Sequence, residues 1–133
     1  MKISDIQATI VDQHLAWIAG FFDGEGCITC SNTGVTVKIS HTHKQSLEFI
    51  KSILGGSLNS RTGTNKPAWV WSVSGDNAWK VLQTLLPFLH EKAEQADVAL
   101  ELLRTRNKRG QKVTKEILFY RKQLKQKLSD LKL

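Results

Sequence analysis

Apolar and polar residues recur along this chain with two periods, and the switches between them mark out its elements. Ser4-Asp5-Ile6-Gln7 has the form of a capping box and opens a short helical lead-in. Asp12 can cap a following helix over residues 13–23, where Leu15, Ile18, Ala19 and Phe22 stand at helical spacing, and Gly24 and Gly26 end it. The period then drops to two. Strands are predicted at 27–31 and 35–40 around the turn-forming Asn32-Thr33-Gly34. In the second, Val35, Val37 and Ile39 alternate with Thr36, Lys38 and Ser40, giving one buried face and one polar, partly cationic face.

The same logic repeats downstream. A helix over 44–54 carries Leu47, Ile50, Ile53 and Leu54 and stops at Gly55-Gly56. A second hairpin pairs 57–61 with 68–74 across a loop holding Gly63, Asn65, Lys66 and Pro67, with Trp69, Trp71 and Val73 on one face. Gly75-Asp76 starts a helix bearing Ala78, Val81, Leu82 and Leu85. Pro87 breaks it and sets the first turn of the next helix, 88 to about 103. Thr114 caps a terminal helix with Ile117, Tyr120, Leu124, Leu128 and Leu131 on one stripe. The predicted order is α-β-β-α-β-β-α plus two C-terminal helices, an α+β fold with four strands in one antiparallel sheet. The core runs from about 10 to 104, followed by a basic loop over 104–113 and the helix over 114–133.

Composition narrows the class. A chain of 133 residues, 41% hydrophobic and 23% charged, fits one globular domain. Its longest apolar stretch, 15–22, is far short of the roughly 20 residues of a membrane span, and no signal core follows the N-terminus. A soluble, intracellular protein without a membrane partner is expected. Net charge is +7 and uneven: residues 1–90 hold 7 Lys/Arg and 6 Asp/Glu, residues 91–133 hold 12 and 6, together the chain's 19 and 12. Five basic residues and no acid occur between Arg104 and Lys112, a surface that could take polyphosphate through counterion release; a solvated basic loop explains the same run.

Cys27-x-x-Cys30, with His41 and His43 nearby, invites a zinc reading. Residues three apart on a strand point to opposite faces, and His-x-His lacks the spacing of a helical zinc finger. Two ordinary half-buried thiols are expected instead. A thioredoxin-like use would need a helix start at the motif.

The polar sheet face gathers Thr29, Ser31, Thr36, Lys38, Asn59, Arg61, Val70 and Ser72, and Asn32, Ser40, Lys66 and Lys108 extend it. Polar side chains with a few cations suit a β-surface lying in a DNA major groove, although a solvent-facing sheet has the same pattern. Residues 15–26 break local rules more sharply. Almost every residue from 15 to 22 is apolar, so the helix is expected to be buried all round. Ala16, Ala19 and Gly20 would let another backbone approach. Asp23 and Glu25 then fall at the helix C-terminus, where the macrodipole is already negative, so a cation is needed there; carboxylates beside helix-end carbonyls are hard oxygen ligands suited to Mg²⁺. Lys92 is predicted about one turn inside its helix, near the positive end, a complementary violation.

At these residues the chain resembles a known family. Ile18-Ala19-Gly20-Phe21-Phe22-Asp23-Gly24-Glu25-Gly26 resembles the nine-residue motif of the LAGLIDADG homing endonucleases, and Pro87-Phe88-Leu89-x-x-Lys92-x-x-Gln95-Ala96 resembles their lysine-bearing segment. The element order is that of single-motif members. The resemblance implies a divalent-metal-dependent, site-specific DNA endonuclease. Glu25, where Asp is usual, and the Gly24 carbonyl would hold Mg²⁺, with Mn²⁺ or Ca²⁺ able to occupy the same sites. Lys92 would face the scissile phosphate or attacking water. His41 falls where relatives often carry a glutamine that orders active-site water; imidazole can do this or act as a general base, and His43 is the second candidate. Asp23 is expected to cap or hydrogen-bond across a helix pair.

A single motif helix without a second copy implies a two-fold homodimer, with Ala16, Trp17, Ala19, Gly20 and Asp23 at the seam and two Glu25 residues at one centre. The implied target is a long pseudo-palindrome of double-stranded DNA, cut across the minor groove to leave short 3′ overhangs. Two alternatives share the fold: an RNA-binding maturase acting on its host intron, and a DNA-binding protein that has lost cleavage.

Overall fold

The computed structural model describes residues 3–31, 34–61, 67–106 and 111–133, with side chains from residue 9 onward. The first helix, α1 (Ile3–Glu25), is continuous, so the expected lead-in and the separate start at Asp12 merge into one element. No proline interrupts this stretch and its first glycine is Gly20, so nothing opposes propagation once the helix has nucleated. It also runs two residues past Asp23, through Gly24 to Glu25.

Strand β1 (Gly26–Cys30) follows without a linker, and β2 (Val35–His41) returns antiparallel to it. The abrupt helix-to-strand change depends on Gly26, because a Cβ there would lie 2.1 Å from the Phe22 ring. Next come α2 (Lys44–Leu54), β3 (Ser57–Arg61), β4 (Ala68–Ser74) and α3 (Gly75–Leu85). At the α2–β3 junction Gly55 and Gly56 take φ of 74° and 95°, and the Gly55 carbonyl accepts the indole N–H of Trp71 at 2.7 Å. That bond satisfies the polar atom of a fully buried Trp71.

The sheet order is β1-β2-β4-β3, every neighbour pair antiparallel. Ile28, Val37, Ile39, Trp71 and Val73 fill one face and pack on the helices, whose buried contribution includes Ile18, Phe22, Leu47, Ile50, Leu82 and Leu85. Mostly polar residues occupy the other face, in keeping with the period-two pattern.

After α3 the chain departs from expectation. Pro87 sits in a short 3₁₀ turn, Leu86–Phe88, Leu89 is extended, and α4 (Ala93–Arg104) begins five residues later than the predicted start at 88. The cause is tertiary. The Asp23 carboxylate takes the N–H groups of His90 and Lys92, and in a helix begun at 88 the second would have donated to the Phe88 carbonyl. The last helix, α5 (Lys115–Leu131), starts as expected, with Thr114 Oγ1 accepting from Ile117 N at 3.2 Å. Leu124 and Leu128 are buried, but Tyr120 lies outside the stripe; it is 40% exposed and donates to Glu101 at 3.0 Å. Among the described residues no helix is long and apolar enough to cross a membrane.

Candidate catalytic centre and nucleic-acid interface

Asp23 and Lys92 form a reciprocal pair at the C-terminal end of α1. Asp23 is 8% exposed, and its carboxylate accepts the backbone N–H of His90 at 2.8 Å and of Lys92 at 3.0 Å. In return Lys92 Nζ donates to the Asp23 carbonyl and lies 6.0 Å from the centre of the Phe22 ring. The expected position of Lys92 one turn inside its helix is therefore corrected: it is the N-cap residue of α4, with φ −101° and ψ 9°. Its ammonium stands at the carbonyl end of α1, where a cation is favourable. The bonds of the Asp23 carboxylate go to the segment before α4 in the same chain, where a bond across a helix pair was expected.

Glu25 is the last residue of α1 and is exposed, as is Gly24. A carboxylate beside helix-end carbonyls is a hard-oxygen set that fits Mg²⁺ better than a soft metal. Among the described residues no three His, Cys, Asp or Glu side chains gather as metal ligands, and the Asp23 carbonyl is taken by Lys92. The two cysteines lie on opposite faces, Cys27 opposite Lys38 and Cys30 opposite Val35. Burial pushes the Cys30 thiol up, with the Lys132 and Lys125 ammoniums opposing that shift.

His41 ends β2, its ring 5.1 Å from that of Phe21 on α1, and its Nδ1 accepts the His43 backbone N–H at 3.0 Å. An accepting Nδ1 places the neutral ring's proton on Nε2. In this arrangement His41 offers a donor at Nε2, which suits ordering a water. His43 caps α2 and pairs through Nδ1 with Ser46 Oγ at 2.7 Å.

Three cross-strand rows build the polar face: Thr29–Thr36–Ser74, Cys27–Lys38–Ser72–Ser57 and Ser40–Val70–Asn59, with Arg61 opposite Ala68. Of the residues expected on this surface, Thr29, Thr36, Lys38, Ser40, Asn59, Arg61, Val70 and Ser72 share it. Ser31 lies just past β1 and closes the turn, accepting from Gly34 N at 3.1 Å. Asn32, Lys66 and Lys108 fall outside the described residues. Cys27, Ser57 and Ser74 belong to the same face and were missed, although period-two counting from Thr29, Asn59 and Ser72 reaches all three.

The expectation that α1 is buried all round is also corrected. Ile18, Ala19 and Phe22 are fully buried in the chain's own core, so Ala19 has no surface left for a seam. The opposite side is open: Ala16, Gly20 and Gly24 recur every fourth residue and are exposed, and a Cβ added at either glycine would meet nothing within 4 Å. Trp17 flanks this strip, 46% exposed and stacked on Phe21 at 5.3 Å.

Two arginines of the basic run make surface ion pairs. Arg104 pairs with Glu101 at 3.0 Å and lies over Trp79, Arg106 pairs with Asp76 at 2.6 Å, and Arg121 donates to Thr105 at 2.7 and 3.0 Å. These contacts pin the end of α4.

Comparisons with known proteins agree with this architecture. The homing endonuclease I-CvuI, solved with its target in the presence of 2 mM Ca, superposes with a TM-score of 0.76 at 24% identity, covering 92% of this chain and 84% of that one. The same enzyme solved with an I-CreI target in 2 mM Mg, its DNA not cleaved, gives 0.75 at 25% identity, covering 91% and 83%. The archaeal intron-encoded I-Vdi141I, complexed with DNA, gives 0.76 at 20% identity, covering 90% and 84%. No curated protein sequence matches. A LAGLIDADG-like domain is matched over residues 12–86, a span that begins in α1, holds all four strands and ends just past α3. With that match spanning more than half of its length, the chain belongs to the LAGLIDADG family.

Proposed function

We propose that this chain is a site-specific DNA endonuclease that uses a divalent cation and cuts both strands of a pseudo-palindromic site as a two-fold homodimer. The observation that carries the reading is the Asp23–Lys92 pairing, which brings a cation to the helix end bearing Glu25. The DNA-bound state of the similar solved structures supports the substrate class, and their Ca and Mg conditions support the metal class.

Each residue has a role that its position allows. Glu25, with the Gly24 carbonyl, would hold Mg²⁺; bound there, the ion lowers the pKa of a coordinated water and offsets charge developing on phosphate. Lys92 adds fixed positive charge at the same helix end, directed at the phosphate. His41 orders water through its Nε2–H. The open strip of Ala16, Gly20 and Gly24, flanked by Trp17, packs on its copy and brings a second Glu25 to the centre. The polar rows led by Lys38, Asn59 and Arg61 face base edges and phosphates.

The test is incubation with Mg²⁺ and a randomised duplex library, beside Glu25→Gln and Lys92→Met. Cleavage by the unaltered chain, reduced on the order of 100-fold or more in either variant with DNA binding retained, is expected. Binding without cleavage under all conditions would instead establish a non-cleaving DNA-binding protein.

A further inference from the structure

Strand β1 is an edge of the sheet, and the C-terminal end of α5 closes on it from outside. Lys132 Nζ donates to the Ile28 carbonyl. Lys125, Leu128, Ser129 and Lys132 line a cleft of about 310 Å³ together with Thr29 and Cys30. Leu128 is 3% exposed and pins the helix, while Lys125, Ser129 and Lys132 recur at helical spacing along one side of it. Thr29 belongs to the polar sheet face, so the cleft continues that face past its margin.

The lining chemistry is selective. Two ammoniums and two hydroxyls converge there with no carboxylate among the lining residues, and the nearby Asp130 accepts from Gln126 at 2.8 Å. Cations with hydroxyl donors match phosphate oxygens. Lys132 is already held by a backbone carbonyl, so less side-chain freedom is lost when an anion arrives.

We propose that this edge cleft binds the phosphodiester backbone of duplex DNA lying beyond the four strands, making the footprint of each subunit longer than its sheet. The inference rests on the sheet's polar face taking duplex DNA. Lys125, Ser129 and Lys132 are then backbone-positioning residues whose effect is independent of sequence.

Binding of the full chain to a selected duplex is measured across a KCl series for the unaltered protein, Lys125→Gln, Lys132→Gln and Ser129→Glu. Each lysine variant should weaken binding several-fold at about 0.1 M salt and lower the log–log salt slope by roughly one, equally on selected and scrambled duplexes. Ser129→Glu should weaken it further, Lys125→Arg should restore the slope, and hydroxyl-radical footprints should shorten at both outer ends. Because Ser129 is exposed, its variant reports on binding even where Lys132→Gln loosens the edge. Unchanged slope and footprint in Lys125→Gln and Ser129→Glu, with the unaltered chain binding well, overturns this inference alone. No duplex binding by the unaltered chain overturns the reading of the sheet face as well.

Discussion

Asp23 and Lys92 hold one another twice over, the carboxylate of the first accepting the backbone N–H of the second and the ammonium of the second donating to the carbonyl of the first. Sixty-nine positions of sequence separate them. The pairing resolves two electrostatic conflicts at once: a carboxylate at the negative end of α1 receives donors, and a lysine at the positive end of α4 sends its charge elsewhere.

Replacing Asp23 should therefore unfold more than a cap. Asp23→Ala leaves the N–H groups of His90 and Lys92 without their partner in a mostly buried place, and should cost about 2–3 kcal/mol. Asp23→Asn keeps one acceptor and should cost less. Urea midpoints measure both; a loss below about 1 kcal/mol in the alanine variant would mean that water replaces the carboxylate.

The hydrogen bond from His43 N into His41 Nδ1 predicts which substitutions His41 tolerates. Glutamine can still present a donor to water and should keep single-turnover cleavage within about tenfold, whereas leucine should lower it by on the order of 100-fold. Equal rates for the two variants would remove His41 from the chemistry.

Gly20 is open in the single chain, since a Cβ there meets nothing. Gly20→Leu should leave helix content intact, and helix propensity even favours it by about 1 kcal/mol. Across a helix-to-helix seam the same side chain should raise the dimer dissociation constant at least tenfold. Sedimentation and circular dichroism separate the two effects, and an unaltered dimer would place the seam elsewhere.

Cys30 gives a pH signature. Burial raises its thiol above the ordinary 9.0, so the neutral form is favoured in the folded chain. A raised folded value gives stability that is complete below the unfolded value and is lost as pH rises through the folded one. Urea midpoints of the unaltered chain should fall between pH 8 and pH 10 by more than those of Cys30→Ala. Parallel profiles would show that burial does not penalise the thiolate.

Much of this was legible in the sequence because it is local. Two-residue alternation in 35–40 and 68–74 sets which residues share the polar sheet face, and the pairs Lys38–Ser72 and Val70–Asn59 keep that parity once the strands pair. The glycine pair at 55–56 and the Thr114 cap sit where predicted for the same reason. The motif carrying Glu25 was equally visible, because its acidic end contradicts the helix that bears it.

Tertiary structure decided the rest. Composition made α1 look buried on every side, but one chain offers it only one layer of core, which Ile18, Ala19 and Phe22 consume, leaving Ala16, Gly20 and Gly24 outside. The sequence pattern started α4 at residue 88, but a carboxylate from α1 took the Lys92 amide that such a helix would have turned on the Phe88 carbonyl. Side-chain period is a property of neighbours along the chain, and sequence determines it alone. Which donor a buried carboxylate captures depends on what folding brings within 3 Å, a matter of packing that no local pattern encodes.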